Sequence, residues 1–241
     1  MERVEPKYRE VPDGLEEPPP GADPLKRWPE IGYVLPFAVF IGFLAINQYV
    51  PVPQSVRFLV IMALLAVVSR GLLPTRPSRF LSSVLVGIGV FFIWIGPDLL
   101  IPGYRTSILF SNSIVGHPQG ATAPADKGDL VFLIFRILVS VIAVPIIEEL
   151  FWRGWMMRWI ANHNFQRIPV GTYHAEAFWI VAALFASEHG SYWDVGLATG
   201  IIYNWWAIRT QNLTDCVIAH AVTNGCLAIY VLVWNQWQYW L

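Results

Sequence analysis

The sequence predicts an all-α fold, a polytopic helical membrane bundle of about seven transmembrane helices. Three observations predict it. Hydrophobic residues make up 55% of the 241-residue chain and charged residues 14%, with a mean hydropathy of +0.48, where a soluble chain carries roughly 45–50% apolar and about 25% charged residues. The charge is gathered at one end: eight of the 17 acids (Glu2, Glu5, Glu10, Asp13, Glu16, Glu17, Asp23 and Glu30) fall in the first 30 residues. Apolar runs near the ~20 residues needed to cross the hydrocarbon core recur between prolines.

Residues 1–30 are charged, proline-rich and poor in apolar side chains. They cannot bury enough surface to fold, so a disordered cytoplasmic tail is expected. No apolar signal-peptide core follows the start, which leaves targeting to the first span. Residues 31–129 supply the spans Ile31–Val50, Ser55–Leu73 and Arg79–Gly96, punctuated by Pro51, Pro53, Pro74, Pro77, Pro97 and Pro102. The stretch Pro97–Asp129 is too long for a hairpin loop and is expected to cap one face. Residues 130–241 supply Leu130–Ile160, the short Glu176–His189, Trp193–Arg209 and Leu213–Trp234. Whether the short fifth segment crosses the bilayer is left open. Cys216 and Cys226 lie ~15 Å apart along one helix, too far to bridge, and read as small hydrophobes.

Lys and Arg set the orientation. With a cytoplasmic amino terminus, the inner segments hold twelve (Arg3, Lys7, Arg9, Lys26, Arg27, Arg70, Arg76, Arg79, Arg153, Arg158, Arg167 and Arg209), and the outer ones three (Arg57, Arg105 and Lys127). The carboxyl terminus, "VWNQWQYWL", is then external, its aromatics suiting an interfacial belt. A net charge of −1 without a basic block gives no sign of a nucleic-acid partner.

Charged groups inside a bilayer cost roughly 2.5–3.5 kcal/mol each and usually mark function. Those here are Glu148, Glu149 and Arg153 in "PIIEELFWRG", Glu188 and His189 in "FASEH", His220 and Asn224 in "HAVTN", and Arg136 apart. Glu149 and Arg153 stand i,i+4 and should pair. Glu148 lies about 100° round and has no such partner. His220 and Asn224 share one helix face. At ~1.5 Å per residue, Glu148 is ~18 Å from the inner end of its helix and His189 ~20 Å, with His220 at ~10 Å and Asn224 at ~16 Å. These four side chains are expected to converge on one site, with Glu188 beside it and Arg136 snorkelling outward.

An unpaired carboxylate, two imidazoles and a carboxamide in a dry cavity suit water activation. A desolvated carboxylate is the better base, so Glu148 with His189 would activate water. His220 and Asn224 would donate to a developing oxyanion. The result is a peptide-bond hydrolase inside the membrane. Pro145 is placed to kink the helix and open the cavity. HExxH, a GxSx nucleophile with a membrane histidine, and a paired-aspartate GxGD pattern are all absent. No cofactor is favoured, although Glu148, His189 and His220 with a water would satisfy a catalytic zinc site.

"EELFWR", "FASEH" and "HAVTN" together match EExxxR, FxxxH and HxxxN, in order, and the stretch from about Leu130 to Trp234 resembles the CPBP family, the CAAX prenyl endopeptidase type II and bacteriocin-processing group. It looks most similar to the bacterial CAAX-protease-related branch associated with exosortase systems. The resemblance implies that Glu148 and His189 activate water, that His220 and Asn224 hold the oxyanion, and that Glu149 and Arg153 are structural or accessory. It further implies a multi-pass protein of a bacterial inner membrane, a membrane-anchored protein substrate, and a functional link to a sortase-like transpeptidase. Members have been described as metalloproteases and as glutamate proteases. The rival class is a non-catalytic scaffold or transporter with a polar core, which would tolerate Glu148→Gln.

Overall fold

A computed structural model of the chain describes residues 27–47, 49–74, 76–118 and 126–240. Residues 1–26 of the expected tail lie outside them. Among the described residues the fold is helical, with one isolated bridge between Asn112 and Gly116. The helices are α1 (Ile31–Ile46), α2 (Gln54–Val68), α3 (Phe80–Leu100), α4 (Leu130–Ala161), α5 (Ala175–Ser187), α6 (Trp193–Thr210) and α7 (Leu213–Trp234). By length and composition α3, α4 and α7 can each cross a membrane, while α1, α2 and α5 are shorter apolar helices. Their outer faces carry exposed Leu59, Val67, Leu81, Leu85, Phe92, Ile229 and Val233. Such extensive apolar surface on a bundle is stable against lipid rather than water.

Start signals behave as their chemistry dictates. Asp129 caps α4 by accepting from the backbone N–H groups of Val131 and Phe132 at 2.8 and 3.2 Å, and Asn212 caps α7 through Thr214 N–H at 2.9 Å. The break expected at Pro97 does not occur. Helix α3 runs on to Leu100 because Asp98, in its last turn, is gripped by Arg105 at 3.2 Å and by the Tyr239 hydroxyl at 2.7 Å. Pro36 likewise sits inside α1.

Helix α4 is the axis of the molecule and packs against α1, α2, α5 and α7. It is not a uniform helix: π turns at Val139–Ala143 and Leu150–Met156 enclose the α-helical Val144–Glu149. The distortion expected from Pro145 is therefore a pair of widened turns around the two acids. Helix α3 crosses α7 so closely that a Cβ on Gly87 would lie 2.3 Å from the Ala219 carbonyl, a backbone approach only glycine permits. At the start of α3, the buried Asp215 accepts from Ser78 N–H (3.0 Å), Ser78 Oγ, Arg79 N–H (2.9 Å) and Ser83 Oγ (3.2 Å). One carboxylate from α7 thus satisfies donors that a helix start leaves unpaired. Cys216 and Cys226 are both free, with Cys216 buried.

At 13 residues α5 is ~20 Å long, short of the ~30 Å hydrocarbon core. Its end is covered by the α3–α4 connection: Trp193 Nε1 donates to the Leu109 carbonyl at 2.9 Å and Ser191 Oγ to the Val115 carbonyl at 3.3 Å. Arg105 locks this contact by donating to the Ser191 carbonyl at 2.9 Å and pairing with Asp194 at 2.5 Å. The long connection does cap a face, and the face is the α5–α6 turn.

Candidate active site

The pair on α4 is the starting point. Glu149 and Arg153 are 0% and 1% exposed, and Arg153 Nη1 lies 3.1 Å from Glu149 Oε1, the i,i+4 pair that the spacing predicts. Arg153 also donates Nε to Asn204 Oδ1 at 2.9 Å and Nη2 to the Gly200 carbonyl at 3.3 Å, both on α6. Asn204 passes the link to α5 through Nδ2 and the Phe178 carbonyl at 2.8 Å. The guanidinium lies over the Phe185 ring at 4.7 Å. A buried charge needs pairing of this kind to be tolerated.

His220 on α7 meets the same carboxylate, with Nδ1 2.9 Å from Glu149 Oε1. A carboxylate paired with an arginine only accepts, so Nδ1 donates. The other nitrogen, Nε2, is 3.9 Å from Glu148 Oε2. That oxygen of Glu148 is buried without a hydrogen-bonding partner among the described residues. The side chain that sequence spacing left unpaired thus keeps an unsatisfied acceptor, as does Oε2 of Glu149.

His189 is not on a helix. It follows the end of α5 with φ −95° and ψ 7°, a turn conformation that Gly190 at φ +50° continues. Its Nδ1 lies 2.7 Å from the Phe185 carbonyl. A carbonyl also only accepts, so Nδ1 donates and Nε2 holds the lone pair. The ring is walled by Phe185 at 4.8 Å and Trp94 at 5.3 Å, and a Cβ on Gly196 would come within 3.1 Å of it. Asn224 on α7 donates Nδ2 to the Ser140 carbonyl of α4 at 2.7 Å, which leaves its second amide hydrogen for another acceptor.

Glu148, His189, His220 and Asn224 all line one cavity of about 270 Å³. Glu188, expected beside the site, lines it too and accepts from Trp152 Nε1 at 3.2 Å. Arg136 also lines the cavity, its guanidinium 5.8 Å from the Trp240 ring of the chain end that folds back through Trp237–Tyr239. Phe40, Ile41 and Leu44 of α1 form an apolar wall. Sequence reasoning missed Asn204, Ser140, Thr199, Thr223 and Trp94. Thr223 bonds the Tyr203 hydroxyl at 2.7 Å and Trp94 Nε1 donates to Thr199 at 2.9 Å. A signal existed for Asn204 alone, since Gly196, Gly200 and Asn204 stand at i, i+4 and i+8 on α6. Among the described residues no three His, Cys, Asp or Glu side chains gather closely enough to hold a metal ion.

No curated protein and no solved structure matches the chain. The family model described as type II CAAX prenyl endopeptidase Rce1-like, a protease family, matches residues 130–226, from the start of α4 into α7, and this stretch includes Glu148, His189, His220 and Asn224 of the cavity.

Proposed function

We propose that the protein is an intramembrane endopeptidase that hydrolyses a peptide bond near the C-terminal region of a membrane-associated protein. The observation that carries this reading is the shared cavity: four polar side chains from α4, the α5–α6 turn and α7 face one apolar-walled space. The family match supports the reaction class.

The mechanism follows from the acceptor inventory. A water in the cavity gives one hydrogen bond to Glu148 and one to the lone pair of His189 Nε2. Glu148 takes the proton as the water oxygen bonds to the substrate carbonyl carbon. The carbonyl oxygen becomes an oxyanion and accepts from Asn224 Nδ2. His220 Nε2 donates to it when both ring nitrogens carry protons. Glu148 then returns its proton to the leaving nitrogen as the C–N bond breaks, which yields a carboxylic acid and an amine. Glu149 and Arg153 position His220 and do not touch substrate. The cavity side chains do not close on a single ion as arranged, so no step runs through a metal.

Comparison of membrane-protein termini in cells making the wild type or Glu148→Gln tests the reading. New termini are expected with the wild type and absent from Glu148→Gln at equal protein level. Identical termini in both would leave a scaffold or transporter.

A further inference from the structure

Asn224 donates to a main-chain carbonyl in the middle of a helix, where carbonyls are ordinarily occupied by the N–H four residues on. The carbonyl of Ser140 is available for a specific reason. In the π turn Val139–Ala143, the N–H of Val144 reaches back to the Val139 carbonyl rather than to Ser140. The next N–H in that widened register would belong to residue 145, and Pro145 has none. Both main-chain partners of the Ser140 carbonyl are thereby removed. Asn224 Nδ2 occupies it at 2.7 Å.

We propose that Pro145 is a positioning residue: by withholding an N–H it reserves the Ser140 carbonyl for Asn224 and so aims the carboxamide. This rests on the endopeptidase reading for its catalytic meaning. One carboxamide hydrogen is spent on Ser140, the amide plane is fixed by that bond, and the other hydrogen is presented to the cavity that Ser140 and Asn224 both line. The π turn and the proline act together. A proline ring clashes with the carbonyl four residues before it, and a widened turn relieves that clash. Widened turns of this kind recur at functional sites, and here the geometry gives one a task.

The test compares the full-length wild type with Pro145→Ala and Pro145→Val, each of which restores an N–H. In detergent, selective ¹⁵N-asparagine labelling resolves the Asn224 carboxamide, identified by its loss in Asn224→Ala. The wild type is expected to show one downfield, exchange-protected Nδ2 proton, and both Pro145 variants a carboxamide without that protection. In cells, Glu148-dependent termini should fall ~10-fold or more in both variants, since small misplacements of a catalytic group are costly. Thermal unfolding should hold or rise, because the helix gains a bond, whereas a merely structural proline would lower it. The double variant Pro145→Ala/Asn224→Ala should be no less active than Asn224→Ala alone. An unchanged carboxamide, full activity in either Pro145 variant, or fully additive losses would overturn the inference while leaving the endopeptidase reading standing. Absence of any Glu148-dependent terminus would overturn that reading, and the catalytic role given to Pro145 with it.

Discussion

Each of the two histidines gives one ring nitrogen to a fixed acceptor, His189 to the Phe185 carbonyl and His220 to Glu149. A catalytic zinc site would use the same outer contacts to fix its tautomers, so these bonds do not distinguish the two chemistries. A catalytic zinc site takes three protein donors about one centre, and among the described residues no group of three His, Cys, Asp or Glu side chains is placed to hold a metal ion. A water held by Glu148 and His189, with Asn224 and His220 across the cavity, uses the arrangement as it stands. Dialysis of the purified protein against a strong chelator is therefore expected to leave Glu148-dependent cleavage intact, with no stoichiometric metal in the protein. One zinc per chain, lost in His189→Ala and needed to restore activity, would reverse this. At this scale the sequence was informative where polarity was unexpected: Glu148, His189, His220 and Asn224 stand out in apolar runs. Thr199, Thr223 and Trp94 do not, because such residues fit a lipid-facing or a buried position equally well.

Arg153 works between elements. Two of its three donor contacts join α4 to α6, the third holds Glu149 on α4 itself, and Asn204 extends the link to α5, so a single guanidinium fixes the helix that carries Glu148 against the hairpin that carries His189. Removing one member of a buried pair leaves an uncompensated charge and typically costs ~3–5 kcal/mol. Removing one oxyanion donor costs ~10²–10³ in rate without that penalty. Arg153→Ala should lose folded protein and activity together, whereas Asn224→Ala should unfold near the wild-type temperature and lose only activity. Equal thermal stability of the two variants in detergent would remove the structural role of Arg153. Helix existence and order were legible from apolar runs and prolines, and α7 falls on its expected boundaries. The π turns were not, because a widened turn alters hydrogen-bond register without altering hydrophobic pattern. Nor was the end of α3, since Pro97 is held in helix by tertiary bonds to Asp98 that no local signal announces.

At the scale of the whole molecule, the charge argument requires the basic connections to share one end of the bundle, and they do. The α2–α3 and α6–α7 connections meet through Asn212 Nδ2 to the Arg76 carbonyl at 3.0 Å and Thr214 Oγ1 to the Pro74 carbonyl at 2.7 Å. The α4–α5 connection joins them, since a Cβ on Gly171 would lie 2.4 Å from the Ala207 carbonyl near the end of α6. Arg158, at the end of α4, is folded onto the same connection through the Ile168 carbonyl at 2.6 Å. Arg70, Arg76, Arg79, Arg158, Arg167 and Arg209 therefore lie in or beside three connections at one end. At the other end Lys127 lies 4.9 Å from the Trp237 ring, which places the α3–α4 connection beside the carboxyl terminus. Basic residues near short loops are retained on the cytoplasmic side, so the arginine-rich end should face the cytoplasm and the α3–α4 connection the exterior. Cysteines introduced at Gly116 and at Gln236 should then react with a membrane-impermeant maleimide in intact cells, and one at Arg209 only after permeabilisation. Labelling of Arg209→Cys in intact cells, with the other two protected, would invert the molecule and place the capped α5–α6 turn toward the cytoplasm.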